Sequence, residues 1–165
     1  MRRDRQHQIA PLFAIAASVA ALSGALASQY LGGLQPCVLC IYQRWPYVAA
    51  IALGLLALGL RRRDRMFPLV LALTALALFV TAAIAAFHVG VERQWWAGTD
   101  ACGGGPDLDL SFEAFKEQLL AAPLVACDRV AWSLFGISMA GYNFLYATAC
   151  GLVMVQAARQ AARRR

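Results

Sequence analysis

Two cysteines three positions apart, Cys37 and Cys40, are the most reactive pairing this sequence offers. A disulfide within Cys37-Val38-Leu39-Cys40 closes a tight, easily strained ring, and such bonds belong to the labile class. Zinc would need two more ligands, preferably a second close pair; the next cysteines, Cys102 and Cys127, are 25 positions apart. Haem attachment would need His directly after the second cysteine, where Ile41 stands. Pro36 precedes the pair and a helix is expected to start about here, so its N-terminus would stabilise a thiolate on Cys37 or Cys40. Arg44 follows Cys40 at i+4, on the same helix face, and its charge would favour a Cys40 thiolate. An isolated Arg near a helix end would be read as snorkelling to headgroups; beside a C-x-x-C, Arg44 is a candidate site residue.

Three more residues join the set. His88 lies near the end of an apolar run, and an ionisable residue there is a functional candidate by default, although a lone His can also cap a helix C-terminus. Cys102 opens Cys102-Gly103-Gly104-Gly105-Pro106, whose glycines allow wide backbone freedom. That predicts a mobile, exposed Cys102. Cys127 sits next to Asp128. Cys102 and Cys127 are either a static staple or a second, exchangeable disulfide, and flexible exposed disulfides tend to the labile class. Cys150, inside an apolar run, reads as a packing residue. A cation, a His and thiols at one level suit an electron acceptor that must gain negative charge and protons.

The elements that must position these groups are membrane helices. The chain has 165 residues, 61% hydrophobic and 15% charged, against about 45–50% and ~25% for soluble domains. That excludes a disordered tail, a nucleic-acid-binding domain and a typical cytosolic enzyme. The net charge of +6 does not imply a nucleic-acid partner, because 11 of the 15 basic residues fall in three clusters that border apolar runs: Arg2, Arg3 and Arg5; Arg61, Arg62, Arg63 and Arg65; Arg159, Arg163, Arg164 and Arg165. This is the positive-inside pattern. The expected architecture is an all-α membrane protein forming one domain over 1–165, a four-transmembrane-helix bundle with spans at about 9–30, 41–60, 66–89 and 130–158. Each run is near the ~20 residues that cross the hydrocarbon as a helix.

Both termini and the 61–65 loop are then cytoplasmic. Loops at about 31–40 and 90–129 face outward, and in the longer one acids outnumber bases. Arg2 to Arg5, an apolar run and Ala25-Leu26-Ala27 also resemble a cleavable signal peptide, but the run is long for that, and cleavage would leave three spans that do not fit the charge pattern. A short amphipathic helix is expected in the long loop from Ser111, a plausible N-cap, to Ala121, lying on the membrane surface or packing on the bundle.

These residues resemble a known family. Cys37-Val-Leu-Cys40-Ile-Tyr-Gln-Arg44-Trp-Pro46-Tyr47 is similar to the C-x-L-C-x-x-x-R motif of the disulfide bond formation protein B (DsbB) family of bacterial inner-membrane thiol oxidases. Cys127-Asp128, Trp132, Gly136, Ser138-Met139-Ala140 and Asn143 resemble its entry to the fourth span, and His88 before a loop carrying Cys102 completes the order. Gln43 stands where some members have Glu, and Cys150 is an extra thiol. The resemblance implies a multi-pass protein of the bacterial inner membrane with its active cysteines on the periplasmic side. It implies that a reduced periplasmic DsbA-like oxidase attacks Cys102 and releases Cys127. Electrons then pass to Cys37 and Cys40, and the Cys40 thiolate reacts with ubiquinone or menaquinone. Arg44 would bind a quinone carbonyl and His88 would be a second quinone-site group; no metal is implied.

Three other readings differ in testable ways. A vitamin K epoxide reductase-like enzyme would carry its C-x-x-C late in the chain, after the loop cysteines. A non-enzymatic membrane scaffold would have disulfides that resist exchange. A metal transporter would want several ionisable groups at mid-membrane depth, and the span interiors carry none.

Overall fold

The computed structural model describes residues 2–60, 65–102 and 125–163, with side chains from residue 8 onward. The expected helix at 111–121 and the glycines after Cys102 lie outside the described residues. Helix α1 (Arg2–Tyr30) is followed by a short α2 (Val38–Tyr42), α3 (Trp45–Gly59) and α4 (Met66–Glu92). A 3-10 turn (Asp100–Cys102), strands β1 (Ser133–Leu134) and β2 (Ile137–Ser138), and α5 (Met139–Arg163) complete the order.

Three helical stretches, Gln8–Tyr30, Val38–Gly59 and Met66–Glu92, are long and apolar enough to cross a membrane. The 25 residues of α5 match them in length but are less apolar, with Gln156, Arg159, Gln160 and Arg163 in its last turns. The described residues thus form an all-α membrane protein, as expected. α4 packs mainly on α5 and α3, and α1 on α3. Small residues make that contact close: a Cβ on Gly54 of α3 would come within 2.7 Å of the Ile15 side chain on α1, the use of glycine typical of membrane interfaces. The core between the helices is built on Ala14, Ala50, Ala57, Leu71, Leu78, Ala147 and Met154, with Cys150 among them as a packing residue.

Two boundaries differ from expectation. The second span begins at Val38, not near 41, and is split. Pro46 lacks an N–H and crowds the preceding turn, so the helix breaks at Gln43–Arg44 and restarts with Pro46 in its first turn. The last helix begins at Met139, not near 130. Ser133 pairs with Ser138 and Leu134 with Ile137, around Phe135 (φ 50°) and Gly136 (φ 75°). Two consecutive positive φ values are what a tight two-residue hairpin turn requires. The apolar residues Val130 to Leu134 thus lead into a hairpin instead of a helix.

Candidate redox site

Cys37 caps α2. Its backbone is extended, and its sulfur accepts from the Cys40 backbone N–H at 3.4 Å, so the sulfur sits where a helix N-terminus favours negative charge. Cys37 and Cys40 are free thiols with their sulfurs 3.1 Å apart. His88, on the last turns of α4, brings Nε2 to 3.5 Å from the Cys37 sulfur. The Cys37 thiol is pulled down from the usual thiol range to about 4, first by its hydrogen bond with Cys40 and then by His88, against the opposing effect of burial. Cys37, Cys40 and His88 also hold their sulfur and nitrogen atoms within 4.8 Å of one another.

Cys102 and Cys127 form a disulfide with Cα atoms 5.1 Å apart. The expectation that Cys102 is exposed is corrected here. Cys102 is 7% and Cys127 0% exposed, and both belong to one apolar cluster with Cys37, Leu39 and Val91, against which Cys40 packs. The physical reason lies in the chain after α4. The 3-10 turn folds back over Val91, the Cys102 N–H donates to the Thr99 carbonyl at 2.7 Å, and the Cys127 N–H donates to the Cys102 carbonyl at 3.1 Å. Gly98 gives the room, since a Cβ there would lie 2.8 Å from the Cys102 Cβ. Beside it, Trp96 stacks on Phe87 and donates its indole N–H to the Phe87 carbonyl at 3.0 Å.

A cavity of about 450 Å³ opens beside the thiol pair. Its walls include Ala21, Leu22 and Ala25 of α1, Cys37, Cys40, Arg44, His88 and Glu92, and Met139 and Tyr146 of α5. Arg44 donates from Nη1 to the Gln29 side-chain oxygen at 2.8 Å, while its Nε is buried with no partner among the described residues. The Arg44 side chain is one of the residues that line the cavity, so a fixed positive charge stands at its wall.

All six residues singled out from the sequence therefore meet at one end of the bundle. The sequence reasoning missed the polar residues that hold them. Gln43 donates from Nε2 to the Leu39 carbonyl at 3.2 Å and lies 3.0 Å from His88 Nδ1. Asn143 of α5 donates to Gln43 Oε1 at 2.6 Å, and the Tyr47 hydroxyl donates to Asn143 Oδ1 at 2.6 Å. The helix break leaves the Gln43 carbonyl for the Thr81 hydroxyl, at 2.9 Å. Glu92, the last residue of α4, has a side chain only 6% exposed. It lies 3.9 Å from His88 Nε2 and accepts a hydrogen bond from Ser138. Its signal was the i+4 spacing from His88 on one helix face.

Comparison with known proteins agrees with this geometry. The family model described as disulfide bond formation protein DsbB matches residues 7–157. Disulfide bond formation protein B of Aromatoleum aromaticum is 34% identical, covering 93% of this chain and 90% of that protein. Disulfide bond formation protein B 1 of Pseudomonas aeruginosa is 33% identical, over 91% and 94%. Uncharacterized protein RP370 of Rickettsia prowazekii is 29% identical, over 88% and 83%. No solved structure matches the chain significantly. With a family model over almost its full length and relatives matched nearly end to end, the chain belongs to the disulfide bond formation protein DsbB family.

Proposed function

We propose that the protein is a membrane thiol:quinone oxidoreductase that reoxidises a periplasmic DsbA-like dithiol oxidase and so sustains disulfide bond formation. The observation that carries this reading is the packing of the Cys102–Cys127 disulfide and the Cys37/Cys40 pair in one buried cluster, at the wall of a cavity. The charge pattern supports a cysteine end facing the periplasm of a bacterial inner membrane, with both termini and the 61–65 loop cytoplasmic.

Disulfide exchange needs a thiolate, a reachable disulfide and a good leaving group. A thiolate of the partner attacks Cys102 to give a mixed disulfide and releases Cys127; the partner's second thiol then resolves that bond. The freed Cys127 thiolate attacks the Cys37–Cys40 disulfide to give a second mixed disulfide; Cys102 then attacks Cys127, which restores the Cys102–Cys127 bond and leaves Cys37 and Cys40 reduced by two electrons. Cys37, capped by the helix N-terminus, is built to carry negative charge. Cys40 stands beside Arg44 at the cavity and faces the acceptor.

A membrane quinone, ubiquinone or menaquinone, supplies an acceptor for two electrons and two protons. The cavity fits such a ring: its volume lies within the range of about 300–1,000 Å³ usual for small-molecule sites, and its wall is mostly apolar. The Arg44 guanidinium at the cavity wall offers a charged donor for a carbonyl oxygen, which is worth most where charge develops in the transition state. His88 stands between the thiol pair and Glu92 as a second polar group of the wall.

The test is turnover. Purified protein with a reduced DsbA-like dithiol and a soluble quinone should reduce one quinone for each dithiol oxidised. Cys40→Ser and Cys102→Ser should each abolish it. Full activity in either variant would refute the relay, and disulfides that never exchange would favour a scaffold.

A further inference from the structure

We propose that Tyr47, Asn143 and Gln43 form a hydrogen-bonded chain that fixes His88 in the tautomer carrying its proton on Nε2. In that form His88 meets Cys37 as a donor and not as a base. The chemical consequence rests on the thiol-relay reading above; the tautomer itself does not.

The direction of each hydrogen bond decides the matter. A main-chain carbonyl can only accept, and the Leu39 carbonyl faces one end of the Gln43 amide at 3.2 Å. That end is therefore the nitrogen. The same nitrogen stands 3.0 Å from His88 Nδ1, so Nδ1 must present a lone pair. The other end of the amide, the oxygen, accepts from Asn143, and the Asn143 oxygen accepts from the Tyr47 hydroxyl. Each bond in the chain thus runs from a donor to an acceptor, with Tyr47 supplying the first proton. Turning the Gln43 amide over would set its oxygen against the Leu39 carbonyl, which can only accept. Gln43 is 5% and His88 3% exposed, so water cannot repair that clash, and unpaired buried polar groups are costly. The Gln43 backbone is held as well: its N–H donates to Leu39 at 3.1 Å, and its carbonyl accepts from Thr81.

An imidazole with a bare Nδ1 carries its proton on Nε2. Nε2 faces the Cys37 sulfur at 3.5 Å and Glu92 Oε1 at 3.9 Å, both acceptors when deprotonated. When Cys37 departs as a thiolate during exchange, His88 holds the charge with an N–H already in place. The arrangement also withholds the Nε2 lone pair from any cation drawn to the Cys37, Cys40 and His88 trio. Gln43, Asn143 and Tyr47 are positioning residues in this scheme.

Nitrogen NMR of the histidine ring tests it without turnover. The chain has two histidines, so His7→Gln leaves His88 as the single signal in ¹⁵N-histidine-labelled protein. Coupling to the two ring carbon-bound protons distinguishes Nε2 from Nδ1. The expected spectrum shows a proton-bearing Nε2 and a proton-free Nδ1. Gln43→Glu replaces the donor by an acceptor and should move the proton to Nδ1. A proton-bearing Nδ1 in this His7→Gln protein, with Gln43 intact, overturns the proposal. An unchanged tautomer in folded Gln43→Glu protein also overturns it. A protein with the expected tautomer but no quinone reduction would refute the relay and leave the tautomer assignment standing.

Discussion

Replacing Arg44 by Lys should cripple the use of quinone while leaving thiol exchange intact. Among the described residues the guanidinium donates from Nη1 to the Gln29 side chain at 2.8 Å, and the side chain also lines the cavity. A Lys has a single nitrogen for these two tasks, and it is not held in a planar fork. If it stays with Gln29, the donor toward the cavity is lost. A hydrogen bond from a charged donor contributes about 1.5–3 kcal/mol, which at 1.36 kcal/mol per tenfold is roughly a 10- to 150-fold loss in kcat/KM for quinone. Stopped-flow quinone absorbance measures that limb. Acid quenching and alkylation of thiols measure the other limb, transfer from the partner to the loop disulfide, which should change by less than about twofold if the sites are independent. Quinone kinetics equal to those of the parent would refute the role drawn for Arg44. An equal loss on both limbs would show that Arg44 acts on the fold and not on the acceptor.

Three further outcomes are expected. In the reduced protein the Cys37 thiolate should persist as pH falls from 9 and disappear only near pH 4, because its folded-state value is lowered to about 4; ultraviolet thiolate absorbance against pH would show this, and a single transition near pH 9 would contradict it. Gly90→Ala should unseat Trp96, since the new Cβ coincides with the indole ring. It would lose the Phe87 stack and the indole hydrogen bond, worth about 1–3 kcal/mol together, read as a lower unfolding temperature; unchanged stability would place Trp96 elsewhere. Cys150→Ala should leave turnover unchanged, with about 1 kcal/mol or less lost from the packing around Met154 and Ala147; loss of turnover would give this thiol a role it lacks here.

The membrane helices were legible because apolar runs and basic clusters carry information over twenty residues at a time. The start of the last helix was not: Val130-Ala131-Trp132 continues the apolar run, and only Gly136, beside a positive-φ Phe135, marks the hairpin. The thiol pair, Arg44 and His88 were visible through residue type and local spacing. Their supports were not, because Gln43 and Asn143 are 100 positions apart and Tyr47 and Asn143 are 96 apart. Nothing local distinguishes a buried, bonded amide from a solvated one. The burial of Cys102 escaped for the opposite reason: the glycines after it argued freedom, while the contacts that hold it come from Val91 and Gly98 before it.

That burial sets who can draw on the enzyme. A small thiol in the surrounding fluid, once deprotonated, attacks a disulfide as a protein thiolate does, and an open disulfide would drain to both. Here Cys127 is 0% and Cys102 7% exposed. On the relay proposed above, any thiol that attacks Cys102 must first displace the 3-10 turn that packs it against Val91. A reductant too small to bind and shift that turn would meet almost no exposed disulfide surface.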